Sequence, residues 1–299
     1  MPFDFTRRQI LAGLATVPAL AAARPAGPIV DSHVHLFSND LQRFPLAANA
    51  TYKPTPLPVE EYVRFATEAK IDHAVIVHPE PYQDDHRYLE YAFTREPFPG
   101  FFKGVCLFDP TAPGTPDRIS SLVDLHPGRI VALRIHEVHA PGTPSLTSGP
   151  IKDRDMSSPA MRATWERVRQ LKLAIQMHFL PYYAPQIGEL AARFPDVPVI
   201  LDHLGRTPEG TPAEQAEVMK LGKQPQIYMK YSNVKADAKP LVRRAYDAFG
   251  PDRMMWGYFG HDRAGFEKEG EQFEFVFDFA QETDKAKIRG RNAVRVFGF

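Results

Sequence analysis

At 299 residues, with 43% hydrophobic and 24% charged residues, the chain has the composition of a folded globular protein rather than a disordered one. Its 36 basic residues are matched by 36 acidic ones, which excludes the clustered basic surplus of a nucleic-acid binder. A single cysteine, Cys106, excludes an internal disulfide and any zinc site built on several thiolates. Its apolar setting predicts an inert core thiol.

The chain starts with a leader signature. Thr6-Arg7-Arg8-Gln9-Ile10-Leu11 sets paired arginines before a modest apolar run over 10–20, and Ala21, Ala22 and Ala23 follow. This is the twin-arginine export pattern, and it predicts a signal peptide and linker over 1–27, with the mature chain starting near Arg24. The partner implied is the twin-arginine (Tat) export machinery, and the expected location is periplasmic or secreted. The apolar run is shorter than the ~20 residues a spanning helix needs, so no stable membrane anchor is expected.

From residue 28 onward, short β-branched runs alternate with segments of helical period. Strands are expected at 29–33, 73–78, 102–108, 130–135, 173–178, 197–203, 227–231 and 254–258. Helices are expected at 59–69, 87–95, 160–171, 184–194, 213–221, 240–249, 273–280 and 285–297. Strand–helix alternation of this kind predicts a parallel sheet, and eight strands in roughly 270 residues fit a (β/α)8 TIM barrel over 28–299. Neither a Gly-x-Gly-x-x-Gly after the first strand nor a Walker-type Gly-Lys-Ser/Thr occurs, so nucleotide-binding folds lack their phosphate cradle. Two proline-rich connections, 38–58 and 136–159, follow expected strand ends and are placed to shape a pocket at the barrel mouth.

The strongest chemical signal is histidine at strand ends. Asp31-Ser32-His33-Val34-His35 closes the first strand, and alternation puts His33 and His35 on one face. His178 closes the fifth strand and His203 the sixth, where a core strand would carry an aliphatic residue. Four histidines at matching ends predict one shared pocket. His78 and His136 are secondary candidates for its mouth, whereas His73, His86, His126 and His139 are expected to be solvated or to flank helices. The pair Asp84-Asp85 reads as a helix N-terminal cap.

Together with Arg43-Phe44-Pro45, Tyr52-Lys53-Pro54 and Leu201-Asp202-His203-Leu204-Gly205-Arg206, these motifs resemble the amidohydrolase-related (type 2) barrels from about residue 29 to the C-terminus. Within that group the chain looks most like the lactonase branch, which includes 2-pyrone-4,6-dicarboxylate lactonase and the sugar-lactone hydrolases. The resemblance implies His33, His35 and His178 as ligands of a divalent metal, zinc or manganese, although some lactonases of this branch work without one. It implies His203 and His178 as catalytic groups at the carbonyl or the attacking water. Arg134 is a candidate clamp for a substrate carboxylate or half of a structural ion pair. Tyr52 is a candidate hydroxyl donor, and Lys230 an anion contact or the partner of a core acid.

The eighth strand departs from the family. Hydrolytic members end it with Trp-Gly-Ser-Asp, whereas this chain reads Trp256-Gly257-Tyr258-Phe259-Gly260-His261-Asp262. Phe259 stands in the acid's place, neither ligating a metal nor accepting a proton, and is expected to line the mouth. Asp262 is the candidate replacement acid. The expected activity is hydrolysis of a small, carboxylated lactone. Its rivals are a non-oxidative decarboxylase of the same superfamily and a catalytically silent binding barrel.

Overall fold

The computed structural model describes residues 27–48, 50, 52–137 and 155–299. The leader, most of the second long connection and His139 lie outside the described residues. β1 (Val30–Val34), β2 (His73–Val77), β3 (Phe102–Leu107), β4 (Ile130–Glu137), β5 (Ala174–Phe179), β6 (Val199–Leu201), β7 (Ile227–Ser232) and β8 (Met254–Gly257) pair in parallel, each with the next in sequence. β8 returns beside β1, giving the barrel expected from strand–helix alternation. Side chains stitch this last seam. Ser32 Oγ donates to Trp256 O at 2.6 Å, and Asp31 accepts from Tyr258 N at 2.9 Å and from Tyr62 OH at 2.8 Å. Gly257 permits the approach, since a Cβ there would sit 2.8 Å from that of His33.

Helices follow the strands on the outside: α1 (Val59–Ala69), α2 (Arg87–Phe93), α3 (Thr115–Leu125), α4 (Pro159–Gln170), α5 (Ala184–Arg193), α6 (Pro212–Lys220), α7 (Lys239–Phe249) and α8 (Arg263–Val276). α1 falls on its expected boundaries. α3, whose buried face amounts to Thr115, Ile119 and Leu122, is too weakly apolar to have been expected. α8 starts at Arg263 rather than 273, because its first half is charged and largely solvated and shows no apolar stripe. The expected helix over 285–297 is three pieces: α9 (Glu282–Ala286), a π turn (Lys287–Arg291) and α10 (Asn292–Phe297). At that π turn, a Cβ on Gly290 would lie 1.9 Å from Pro28 O, so only glycine lets the chain entering β1 pass.

Two apolar layers result. Between sheet and helices lies the main core, which contains Cys106, and burial pushes that thiol up to about 12. Inside the lower barrel, Val30, Val75, Val77, Val105, Ala132, Ala174 and Ile200 pack together, and Phe297 of α10 packs against them.

Candidate active site

β1 does not run as a simple alternating strand. Its register against β2 slips between Asp31 and Val34, so three residues on β1 oppose two on β2. The bulge re-phases the strand. Val30 faces the barrel interior and Val34 the helix layer, yet His33 and His35 both reach the mouth.

β6 is cut short by the next irregularity. The expected strand ran to residue 203, but His203 (φ 52°), Leu204 (φ 53°), Gly205 (φ 63°) and Arg206 (φ 47°) form a left-handed turn. Three of the four are not glycine, and each costs roughly 1–2 kcal/mol in this conformation. The turn brings both His203 and Arg206 against His178. Gly205 is its pivot, because a Cβ there would lie 2.7 Å from Val218.

His33 is ringed by histidines, with its centroid 4.9 Å from that of His35 and 4.7 Å from that of His203. His33 Nε2 and His35 Nε2 are 3.3 Å apart. His35 Nδ1 meets Val77 O at 2.7 Å, and a carbonyl only accepts, so the proton is on Nδ1 and Nε2 is bare. The same logic applies to His203, whose Nδ1 faces Ser232 O at 3.2 Å and Ser232 Oγ at 2.9 Å. Burial, helped by Arg134, pushes His35 down to about 3. Burial, with Arg134 and Lys230 outweighing the pull of Asp202, pushes His203 down to about 4. Both rings are therefore neutral at physiological pH.

Asp202 lies beneath this trio and was not expected to play a part. Fully buried, it has Oδ1 3.4 Å from both His33 Nδ1 and Lys230 Nζ, and Oδ2 3.1 Å from Gln176 Nε2 and 3.4 Å from Arg134 Nη2. Burial alone would raise its pKa, but Lys230, His33 and Arg134 hold it well below the usual carboxylate range. Lys230, also fully buried, donates to Ser32 O at 2.9 Å and Gln176 Oε1 at 3.0 Å, and burial pushes it down to about 8 against the pull of Asp202. Of its two readings, the partner of a core acid is therefore the one the structure supports, and substrate contact is corrected. Arg134 makes its ion pair with Asp202 through Nη2, while its Nε is buried without a partner among the described residues.

The remaining candidates divide. Phe259 reaches the mouth, its ring centroid 5.2 Å from that of His33 and 5.4 Å from those of His35 and His203, with 40% of the residue exposed. It holds a left-handed φ of 62° to do so. Tyr52 is half-exposed beside Arg134, and shielding of its hydroxyl pushes it up to about 12. Asp262 is a correction. Its carboxylate accepts from Gly265 N at 2.7 Å and caps α8 in an exposed position, because the chain after Gly260 turns out into the helix. His178 is near, its centroid 5.4 Å from that of His203, but Arg206 Nη1 lies 2.8 Å from its Nε2. Of the expected ligand set, His33 and His35 bring their Nε2 atoms together, whereas the Nε2 of His178 is held by Arg206 in this structure.

His86 flanks α2 at its N-cap position, the second of the two places expected for it, but is not solvated. It is buried, accepts from Leu107 N at 3.0 Å and stacks on His78 at 4.3 Å. Asp85 does take the first amide of α2, Arg87 N, at 3.2 Å, whereas Asp84 pairs with Arg118. Asp202 and Arg206 carry no expected role from sequence, although both stand in the Asp-His-Leu-Gly-Arg run. Gln176 had a signal too, as a polar residue inside the apolar β5.

The donors fit a divalent ion. Nitrogens bound tetrahedrally at ~2.0–2.1 Å lie ~3.3–3.4 Å apart, which matches the His33–His35 spacing. Ligand atoms of His33, Asp202 and His203 also fall within 4.8 Å of one another. Asp202 Oδ1, buried without a hydrogen bond among the described residues, stands 3.4 Å from His33 Nδ1, the place of a carboxylate behind a metal-binding imidazole.

Comparison with known proteins agrees with this architecture. The chain is 23% identical over 292 residues to 4-sulfomuconolactone hydrolase of Hydrogenophaga intermedia, covering 90% of this chain and 88% of the relative. It is 22% identical to L-fucono-1,5-lactonase of Burkholderia ambifaria, covering 76% and 78%. The crystal structure of a probable 2-pyrone-4,6-dicarboxylic acid hydrolase from Acinetobacter baumannii, with citric acid bound, superposes with a TM-score of 0.71 at 20% identity, covering 91% of this chain and 99% of that one. The amidohydrolase family profile matches residues 30–299. With a parallel eight-stranded barrel and histidines gathered at its mouth, the chain belongs to the amidohydrolase family and is a hydrolytic enzyme.

Proposed function

We propose that this enzyme opens a small lactone bearing a carboxylate or a similar anion. The observation that carries the reading is the meeting of three imidazoles, His33, His35 and His203, with two guanidiniums, Arg134 and Arg206, whose buried Nε atoms have no partner among the described residues. Bare imidazole nitrogens suit a carbonyl and a water. Unpartnered guanidinium N–H groups suit an anion, because charge-assisted bonds are about twice as strong as neutral ones. The names of the three relatives above, each a lactone or pyrone hydrolase, support the same reaction class, while solved structures of the same fold also include a 5-carboxyvanillate decarboxylase and a 2,6-dihydroxybenzoate decarboxylase.

In the reaction, water oxygen bonds to the ring carbonyl carbon, the ring C–O bond breaks, one water proton ends on the departing oxygen and the other stays with the new carboxyl group, giving a hydroxy acid or, where the ring oxygen sat on a double bond, an enol acid that tautomerises to the oxo acid. His203 orients the water through its bare Nε2, its own ring fixed by Ser232, while Asp202 fixes the neighbouring ring of His33. At a pKa of about 4, His203 is too weak a base to deprotonate unactivated water at useful rates. A divalent ion, zinc or manganese, held by His33 and His35 would supply the missing activation by polarising the carbonyl and lowering the pKa of bound water, and would leave His203 Nε2 to the water. Phe259 and Tyr52 close the mouth with aromatic surface. That wall suits a flat unsaturated ring better than a polyhydroxylated sugar, whose hydroxyls need acceptors.

Product analysis tests the reading. Purified protein given zinc or manganese should open 2-pyrone-4,6-dicarboxylate with a kcat/KM at least tenfold above that for L-fucono-1,5-lactone. Release of carbon dioxide, or recovery of unchanged bound ligand, would sink it.

A further inference from the structure

We propose that Arg206 is a latch on His178, occupying its Nε2 until an anion draws the guanidinium away, so that anion binding and divalent-metal binding reinforce each other. Arg206 Nη1 stands 2.8 Å from His178 Nε2. A guanidinium only donates, so the lone pair of Nε2 is consumed and the ring proton sits on Nδ1. That Nδ1 is buried without a partner among the described residues, which marks this state of His178 as one its surroundings do not otherwise satisfy. An imidazole nitrogen ligates a metal only through its lone pair. One atom therefore cannot serve Arg206 and an ion together.

The latch is built rather than incidental. The left-handed turn that ends β6 places Arg206, and Glu209 Oε2 holds its Nη2 at 2.5 Å. Its Nε stays buried and unpartnered, as does that of Arg134, whose charge it opposes. Two mutually repelling cations with unused N–H groups attract an anion, and a carboxylate outcompetes a neutral imidazole for the guanidinium. Once released, His178 can join the ligand cluster beside His203, whose ring centroid is 5.4 Å away. Linkage then requires reciprocity: an anion that tightens metal binding is itself bound more tightly when the metal is present.

The identity of the physiological anion rests on the anionic-lactone reading, but the latch is tested without hydrolysis. Zinc affinity is measured by competition with a chromophoric chelator, with and without isophthalate, a flat dianion whose carboxylates are too far apart to chelate one ion. Wild type, Arg206→Met, His178→Ala and the double variant are compared, each checked for folding by circular dichroism. Arg206→Met should bind zinc at least fivefold tighter than wild type. Isophthalate should tighten wild-type binding by a similar factor and leave Arg206→Met unchanged, and both gains should vanish in the His178→Ala background. Three results overturn the latch: unchanged or weaker zinc binding in folded Arg206→Met, a gain that persists without His178 and so reports only charge removal, or no zinc binding by any form. Failure of lactone opening alongside a positive zinc result would overturn the proposed substrate and leave the latch standing.

Discussion

The lower and upper halves of the barrel interior are built from the same strands and have opposite chemistry. Two residues along the inward face, Ala132 gives way to Arg134 on β4, Ala174 to Gln176 on β5, and Tyr228 to Lys230 on β7. Below that step, aliphatic side chains pack against Phe297. Above it, a fully buried acid, a fully buried lysine and an arginine stand under the histidines. Burying charge is costly even when it is paired, and apolar burial at ~25 cal/mol per Å2 is what offsets it. The lower half stabilises a structure whose upper half could not be stable alone. Function is thereby confined to residues one pleat above the packing layer.

Asp202→Ala should break this contrast most strongly. It leaves Lys230 and Arg134 buried without their acid and frees His33 to rotate, so we expect a loss of about 3–5 kcal/mol in denaturant unfolding and a fall of about 10–100-fold in kcat/KM. Phe297→Ala, at the lower end, should cost about 3 kcal/mol by opening a cavity yet leave kcat/KM per folded molecule within twofold of wild type. Parallel unfolding curves and active-site titrations check both. If Phe297→Ala lowers kcat/KM as severely as Asp202→Ala, the two halves are not separable as described.

How much of each half can be read in the sequence follows from the same contrast. Lower-half residues sit in β-branched runs bounded by turns, so the strands were found to within a few residues, and the histidines stood out by closing those runs. What was not legible is whatever depends on departure from regular backbone. The bulge in β1 changes which residues face inward, and no periodicity announces it. Left-handed φ at His203, Leu204 and Arg206 is not expected of non-glycine residues, so nothing in the motif assigns Arg206 a direction. Nearness to Phe259 in sequence points Asp262 to the site, but direction of exit from a turn is a tertiary property. Asp202 was passed over because burial and partners, not residue type, make it central.

Phe259→Asp sharpens the contrast by adding an acid to the upper half. Aspartate tolerates the left-handed conformation better than phenylalanine, and its carboxylate would face the imidazole cluster. Zinc affinity should rise about tenfold, near 1.4 kcal/mol. Asp262→Ala should leave zinc affinity unchanged and cost about 1 kcal/mol of stability as a lost helix cap. A zinc loss in Asp262→Ala would return that acid to the site.

The smallest expected effect concerns a third acid, Glu269 on α8, which stands behind β8 outside the barrel. Asp202 has four donors around it, whereas Glu269 accepts from Trp256 Nε1 at 2.9 Å and otherwise sees mainly the distant charges of Arg289 and Asp31. Burial therefore wins, and pushes its carboxyl up to about 7. The sign follows from comparing the two states. With the folded pKa above that of the unfolded chain, near 4.5, the folded state holds a proton that the unfolded state has released between these values. Its contribution to stability is complete below about pH 4.5 and is lost as pH rises through about 7. Glu269 is partly exposed, so solvent screening reduces the full shift, and about 1 kcal/mol is the expected loss across that window. Glu269→Gln keeps an acceptor for Trp256 Nε1 and removes the ionisable group. Urea unfolding at pH 5 and pH 8 should show wild type losing about 1 kcal/mol more than the variant over that interval. A wild-type slope that the glutamine variant reproduces would mean that Glu269 ionises freely in the folded state and that burial behind β8 does not govern it.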